Sequence, residues 1–431
     1  MDQYQKLFGT SGIRRKISEF PENFFLNLGK AIGTYSRDSK IAVARDTRES
    51  SEILENELCK GITSTGKDVV LLGIATTPTL ALAARDFGTG IMITASHNPE
   101  EYNGFKFYSK EGAYSKEQES DIEKIFFLKQ FEKREKGKIE KADYTEKHIS
   151  FILKKIGRLK DKLRVFIDCA NGSGSVITPK LLTELGCDVT AVNTSLNGKF
   201  PHDLEPTEEN LKEILKQVKK ADVDIGFVHD GDADRTAAIS KDGKLIPWDT
   251  LLAVLSYGKK KVVTTVDASM RIEEVCNYVI RVAVGDVAVA NAVLKEKADF
   301  GGEPSGAFIF PEFHCVPDGP LTAAIISNLI DQEKFYEILS KIGDYPMERI
   351  KIPVLEKEKQ EIMQKIRILA KKEFQDVSFI DGVRVSLENG WFLIRPSGTE
   401  KVIRITAEGK NRSHLRQIIK KAKDLIENSK K

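Results

Sequence analysis

The strongest constraint on the fold is a pattern that the chain repeats three times. Ile41-Ala42-Val43-Ala44-Arg45 runs into Asp46, Leu163-Arg164-Val165-Phe166-Ile167 into Asp168, and Val262-Val263-Thr264-Thr265-Val266 into Asp267. Each is a short β-branched run ending on an aspartate, and the first two lead into helical spacing. A second strand signal follows each time: Asp68-Val69-Val70-Leu71-Leu72, Asp188-Val189-Thr190-Ala191-Val192 and Val279-Ile280-Arg281-Val282-Ala283. A polar loop then closes each repeat, at 94–99, 230–235 and 302–306. This reads as a three-fold duplication of an α/β unit, with mostly parallel sheets whose ligand loops lie at strand carboxyl ends. Three such units can aim three different loops at one cleft.

The rest of the 431 residues is patterned differently. The stretch 115–156 is rich in Lys and Glu at helical spacing and predicts surface helices joining domains. From about Arg349 the signals are a strand at 350–354, an amphipathic helix at 357–373, strands at 377–380, 382–387, 391–394 and 402–407, and a helix at 413–426. That predicts a smaller α+β domain with a largely antiparallel sheet. The expected division is 1–150, 151–249 and 250–347, three mixed α/β domains, followed by the α+β domain 348–431.

A formal net charge of +3, from 67 basic and 64 acidic residues, gives no electrostatic footprint for nucleic acid. Any basic patch is local, of the kind that receives a phosphorylated small molecule. Cys59, Cys169, Cys187, Cys276 and Cys315 show no CxxC pairing, so they predict neither a zinc site nor a disulfide framework. Residues 1–6 carry no apolar targeting segment and no run is long enough to cross a bilayer, so no membrane partner and a cytoplasmic location are expected.

Chemistry concentrates in the loops. In Gly90-Ile91-Met92-Ile93-Thr94-Ala95-Ser96-His97-Asn98-Pro99 a buried strand ends and a turn closes, leaving the Ser96 hydroxyl at the strand tip beside His97. Such a serine is a nucleophile, a phosphoryl carrier or an ordinary turn hydroxyl. Asp230-Gly231-Asp232-Ala233-Asp234-Arg235 places three carboxylates at alternate positions, either an acidic surface turn or an oxygen cage for a divalent cation. Three neighbouring carboxylates repel unless something neutralises them. A calcium loop of EF-hand type is excluded, because Arg235 stands where its glycine belongs and Lys241 where its glutamate belongs. Mg²⁺ suits the site, since it tolerates few protein ligands and shares itself with phosphate. Arg235 can offset the remaining charge and reach a phosphoryl oxygen.

Gly301-Gly302-Glu303-Pro304-Ser305-Gly306 is a tight turn in which Glu303 and Ser305 could read neighbouring sugar hydroxyls. In Trp391-Phe392-Leu393-Ile394-Arg395-Pro396-Ser397-Gly398-Thr399-Glu400, Arg395 offers a planar fork for phosphate, with Ser397, Thr399 and backbone N–H groups to complete a cradle. Phe8-Gly9-Thr10-Ser11-Gly12-Ile13-Arg14-Arg15 is a flexible start or a loop that brings Arg14 to an anion. Asn171-Gly172-Ser173-Gly174-Ser175 lacks the following Lys-Ser/Thr of a P-loop. His148, His202 and His414 are expected at the surface, while His229 and His314 lie nearer the candidate loops.

These loops, in this order and one per unit, strongly resemble those of the alpha-D-phosphohexomutase family over essentially the whole chain. The resemblance implies four domains around a deep central cleft. It implies that Ser96 is the phosphoserine, that Asp230, Asp232 and Asp234 hold Mg²⁺ with the Ser96 phosphate, and that Arg14 and Arg235 stabilise the transferring group. Lys106, in Asn103-Gly104-Phe105-Lys106, would act in proton transfer. Glu303 and Ser305 would bind sugar hydroxyls, and Arg395, Ser397, Gly398 and Thr399 the phosphate that does not react. The partner implied is a small hexose phosphate, with hexose 1,6-bisphosphate as intermediate and activator, acted on by a monomer or homodimer.

The chain departs from the family's commonest pattern at Ala307, where many members carry histidine and for which His314 is the candidate replacement. Arg15 stands where glycine is common, and Lys401 where proline is. Gly302-Glu303-Pro304-Ser305-Gly306 followed by Phe308-Ile309-Phe310-Pro311 looks most like archaeal members of phosphoglucosamine-mutase type. That implies glucosamine phosphates as substrate, with a phosphomannomutase/phosphoglucomutase as the alternative. A non-catalytic sugar-phosphate sensor on the same fold, or an aspartyl-phosphate phosphatase built on Asp230 and Asp232, are readings of other classes.

Overall fold

The computed structural model describes residues 6–397 and 401–430. Three of its four sheets share one strand order, as the sequence repeat requires. In each, a central strand (Lys40–Arg45, Arg164–Asp168, Lys261–Thr265) has parallel neighbours on both sides. On one side lies the next strand in sequence (Asp68–Ile74, Asp188–Val192, Tyr278–Val282); on the other lies the third (Thr89–Ile93, Ile225–His229, Phe300–Gly302). The third strand then turns back into an antiparallel fourth: Tyr102–Ser109, Thr236–Ser240 or Phe308–Ile309. All three candidate loops occupy that same turn, between strands three and four. Thr89–Ile93 and Ile225–His229 are buried along their whole length, as expected for strands packed on both faces.

The repeated aspartates anchor these turns. Asp46 accepts from Arg48 Nε (3.0 Å), Thr94 Oγ1 (2.7 Å) and Ser51 Oγ (2.8 Å). Asp168 accepts from the Ala170 N–H, Asn193 Nδ2 and His202 Nε2. Both are fully buried, so the strand-end carboxylate is a structural pin in the first two units.

The fourth sheet is wholly antiparallel, ordered Met347–Pro353, Val402–Gly409, Gly390–Pro396, Val383–Leu387, Asp376–Ser378. Helices Lys359–Glu373 and Arg412–Ser429 cover one face, with Ile362, Ile366 and Ala370 and then Leu415, Ile418, Ala422 and Leu425 at helical spacing in its core. Trp391 and Leu393 face the third unit at Val266. There the buried Glu408 accepts from Ser269 Oγ (2.5 Å), the Met270 N–H (2.8 Å) and Trp391 Nε1 (2.7 Å), which fixes how the fourth sheet sits on the third unit.

The stretch 115–156 is more than surface helices. Lys116–Leu128 begins with a capping box between Ser115 and Gln118. Ile139–Lys141, however, extends the first sheet beside Asp68–Ile74, and Thr145–Ile156 buries Ile149 and Ile152 in the core shared by the second and third units. His148, expected at the surface, is fully buried. Its Nδ1 bonds the Thr79 hydroxyl at 2.9 Å, and its Nε2 bonds Asp318 Oδ2 at 2.9 Å. Partners 69 and 170 residues away satisfy both ring nitrogens, and no local pattern reveals them. The divisions expected at 150, 249 and 347 fall at the helix Thr145–Ile156, the helix Trp248–Ser256 and the strand Met347–Pro353.

Candidate active site

Ser96 sits just past the end of Thr89–Ile93 with φ of 53°, a left-handed conformation unusual for serine. One buried guanidinium holds the turn in place. Arg48 donates Nη2 to the carbonyls of Ser96 (2.9 Å) and Asn98 (2.6 Å), and Nη1 to those of Pro99 (2.6 Å) and Tyr102 (3.0 Å). Asp46 balances its charge, and the ring of Phe200, from the second unit, lies 5.1 Å from the guanidinium carbon. Arg48 was not singled out by sequence; the only local signal is its place two residues after a strand-end aspartate.

The Ser96 hydroxyl donates to Asp230 Oδ2 at 2.7 Å, so the first and second units meet at the two loops singled out in the sequence. Lys106 Nζ donates to Asp232 Oδ2 (2.6 Å) and Asp234 Oδ2 (2.5 Å). Thr77, at the start of the helix Thr77–Phe87, donates its hydroxyl to Asp232, and its N–H bonds the Asp232 carbonyl. Arg235 Nε lies 3.9 Å from Asp230 Oδ2. His229 pins the same turn from below, through Thr178 and the Arg235 carbonyl.

The electrostatics follow from burial. Burial and the two neighbouring carboxylates push Asp230 above the ordinary carboxylate range, and burial with Asp232 does the same to Asp234. Burial acts against Asp232 too, but Lys106, with Thr77 and Arg14, outweighs it and holds Asp232 low. Lys106 is raised in return, because its two aspartates outweigh its desolvation. His97, 3.4 Å from Ser96 Oγ, is pushed far below its usual range by burial and then by Arg235, Arg14 and Lys106.

The three aspartates present ligand oxygens within 4.8 Å of one another. Asp232 Oδ1 and Asp234 Oδ1 are buried without a hydrogen-bond partner. Orphaned hard oxygens in a crowded anionic cluster fit a small divalent cation.

Above this centre opens a cavity of about 580 Å³. It is lined by the N-terminal turn with Arg14, by Asp234 and Arg235, by Gly285 and Asp286, and by Glu303, Ser305 and Arg395. Gly12 lets that turn approach the sheet: its φ is +75°, and a Cβ there would meet the Phe105 carbonyl at 2.1 Å. The second and third loops are joined through backbone, with the Thr236 N–H donating to the Gly306 carbonyl at 3.0 Å and Arg235 bridging to Ala307. Glu303 accepts the Gly285 N–H at 2.8 Å, and burial followed by Asp286 pushes its carboxyl up to about 8. Ser305 Oγ and Arg14 Nε are buried without partners.

Arg395 is gripped by Asp381, Nε to Oδ1 at 3.1 Å and Nη2 to Oδ2 at 2.8 Å. It also lines a neighbouring cavity of about 380 Å³ together with Ser397. Lys359 Nζ donates to the Ser397 carbonyl at 2.7 Å. Gly398 and Thr399 lie outside the described residues. Ser96, Asp230, Asp232 and Lys106 do not line this cavity; Asp234 and Arg235, which do, connect it to them through Lys106 and Asp230. His314 is turned away, its Nε2 bonded to Asp318 Oδ2 at 2.8 Å beside His148. No helix among the described residues is long and apolar enough to cross a membrane.

Family models described as phosphoglucomutase/phosphomannomutase alpha/beta/alpha domains I, II and III match residues 5–133, 142–243 and 249–345, and the C-terminal domain of that family matches 350–425. The chain belongs to the phosphoglucomutase/phosphomannomutase family, the phosphohexomutase isomerases. It is 41% identical to a phosphoglucosamine mutase of Methanocaldococcus jannaschii and 40% identical to a probable phosphoglucosamine mutase of Methanopyrus kandleri, in each case over 98% of both chains. A solved phosphoglucomutase/phosphomannomutase family protein of Burkholderia thailandensis superposes with a TM-score of 0.89 at 25% identity, over 99% of this chain and 98% of that one.

Proposed function

We propose that this chain interconverts glucosamine 6-phosphate and glucosamine 1-phosphate through phosphorylated Ser96 and a hexose 1,6-bisphosphate. The observation that carries the chemistry is the Ser96 hydroxyl bonded to Asp230 at 2.7 Å, beside two further aspartates that share Lys106. The bond from Ser96 Oγ to phosphorus breaks as a substrate hydroxyl oxygen bonds that phosphorus, and the proton lost by the hydroxyl is balanced by one gained at Ser96 Oγ. We assign the relay to Lys106: its ammonium gives a proton to Ser96 Oγ as the ester bond breaks and takes one back from the attacking hydroxyl. After the bisphosphate turns over, the reverse transfer restores phosphoserine and releases the isomeric monophosphate.

Arg14 and Arg235 border the cavity where the transferring group gathers charge. Asp230, Asp232 and Asp234 would hold Mg²⁺ with the Ser96 phosphate, and the ion supplies charge neutralisation. Glu303 and Ser305 take ring hydroxyls. Arg395, Ser397, Gly398 and Thr399 take the distant phosphate, with Asp381 holding the Arg395 guanidinium in position. The choice of glucosamine rests on the relatives named above.

The test compares kcat/KM for the 1-phosphates of glucosamine, glucose and mannose, with Mg²⁺ and a catalytic amount of hexose 1,6-bisphosphate. A preference for glucose or mannose of about tenfold, worth roughly 1.4 kcal/mol, overturns the sugar assignment. Peptide mass analysis should find phosphate on Ser96; acyl phosphate on an aspartate overturns the mechanism. Asp232→Asn should cost about 3 kcal/mol in turnover and raise the Mg²⁺ needed.

A further inference from the structure

The cavity holds a carboxylate that none of these roles uses. Asp286 is the first residue of the helix Asp286–Glu296 and lies on the cavity wall. The residue before it, Gly285, is tied to the proposed ring-hydroxyl reader, its N–H donating to Glu303 Oε1 at 2.8 Å. Gly285 has a φ of +139°, and a Cβ there would meet Thr10 Cγ2 at 2.9 Å, so the turn is wedged between Glu303 and the N-terminal loop. Asp286 therefore stands beside Glu303 by construction.

Its own contacts are sparse. Ser11 Oγ donates to Asp286 Oδ2 at a long 3.4 Å, and among the described residues Asp286 forms no ion pair. Asp234, across the same cavity, has Lys106. Arg235 feels the Asp286 charge and, with Arg14 and Asp234, shares its cavity wall, but among the described residues no cation pairs with Asp286 directly. A carboxylate without a direct counter-ion, in a cleft that receives phosphate, favours a ligand that brings a positive group of its own. Hexose phosphates that share their 3- and 4-hydroxyls differ at the adjacent C2. An amino sugar carries there an ammonium, a cation with three N–H donors, matched to a carboxylate acceptor. A hydroxyl at C2 supplies one donor and no charge.

We infer that Asp286 receives the C2 ammonium of an amino-sugar phosphate and sets the cleft's preference for it over neutral hexose phosphates. The inference rests on the mutase reading above and extends it to the atom that discriminates substrates. A charge-assisted hydrogen bond of this kind is expected to move selectivity by about 10- to 100-fold.

The experiment measures kcat/KM for glucosamine 1-phosphate and glucose 1-phosphate with wild type, Asp286→Asn and Asp286→Glu, each over a pH series. In wild type the ratio should favour the amino sugar and decline as pH rises through the ionisation of its ammonium. In Asp286→Asn the ratio should drop by about 10- to 100-fold and lose that pH dependence, and Asp286→Glu should restore part of both. Because the ratio is internal to each preparation, a partly misfolded variant does not disturb it. An active mutase whose ratio and pH profile are the same in Asp286→Asn overturns the assignment of Asp286 alone and leaves the mutase reading standing. A wild-type protein with no activity on any hexose phosphate overturns both.

Discussion

The serine–aspartate centre and the proposed sugar side of the cleft meet at Asp234 and Arg235, and they are built in opposite ways. Around Ser96 the side chains pair with one another: the hydroxyl with Asp230, Lys106 with two aspartates, and Arg48 with four carbonyls and Asp46. What remains unpaired there is a pair of carboxylate oxygens, the donors a cation would take. On the sugar side Ser305 Oγ and Arg14 Nε have no partner, and Glu303 holds a single backbone N–H. In a mutase the difference has a physical reason. Phosphoryl transfer depends on groups fixed before the reaction, whereas the bisphosphate must be let go, turned and held again.

The sharpest test of the fixed half is Ser96→Ala. It removes a buried hydroxyl that donates to Asp230, so stability should fall by about 1–3 kcal/mol while turnover falls by roughly 10⁴-fold or more, far beyond what that loss explains. Retained activity would place the reacting group elsewhere.

Arg48→Met tests whether that half is held rather than merely assembled. It leaves Asp46 buried without a counter-charge and frees four carbonyls, so unfolding in urea should show a loss of about 3–5 kcal/mol. At temperatures where the variant stays folded, kcat should fall more than KM changes, since Ser96 is displaced and the sugar loop is not. Equal stability in variant and wild type sinks the idea that one guanidinium holds the turn.

Glu303→Gln probes the loosely paired half. Burial and Asp286 raise the Glu303 carboxyl to about 8, so between the ordinary glutamate range and about 8 the folded state binds more protons there than the unfolded chain does. Folding stability contributed by this group is therefore present at low pH and drains away as pH rises through that window. Replacing Glu303 by Gln should make unfolding less pH-dependent, with the variant relatively more stable near pH 8 than near pH 5. The same variant should raise KM for the sugar. A wild type no more sensitive to pH than the variant breaks the comparison on this side.

Ser305→Ala should have the smallest effect. Its hydroxyl lacks a partner in the free protein, so stability should hold or rise slightly while KM increases by a few-fold, on the order of 1 kcal/mol of lost ligand hydrogen bonding. A clear loss of stability would show that the hydroxyl is paired within the protein after all.

The legibility of these two halves also differed. Asp230, Asp232 and Asp234 lie within five residues, and their crowding is visible as a local electrostatic conflict. The Glu303 turn and the Arg395 strand end were readable one at a time, but weakly, because each is also an ordinary turn. Arg48 was not readable as a structural residue, since its acceptors are carbonyls 48 to 54 residues further on. His148 failed in the opposite direction: polar neighbours in sequence suggested solvent, while Thr79 and Asp318 satisfy it in the interior. Asp286 carries no motif at all and gains meaning only beside Glu303.

The sequence by itself determined the repeated unit, the polar loop that closes each copy, and the change to an antiparallel last sheet. Those features depend on side-chain periodicity and on turn residues, which act over a few positions. Only the tertiary structure decided which loops meet. Ser96 finds Asp230 across 134 residues, and Lys106 finds its aspartates across 126 and 128. Such pairings come from how separate sheets pack on one another, and no spacing along the chain encodes them.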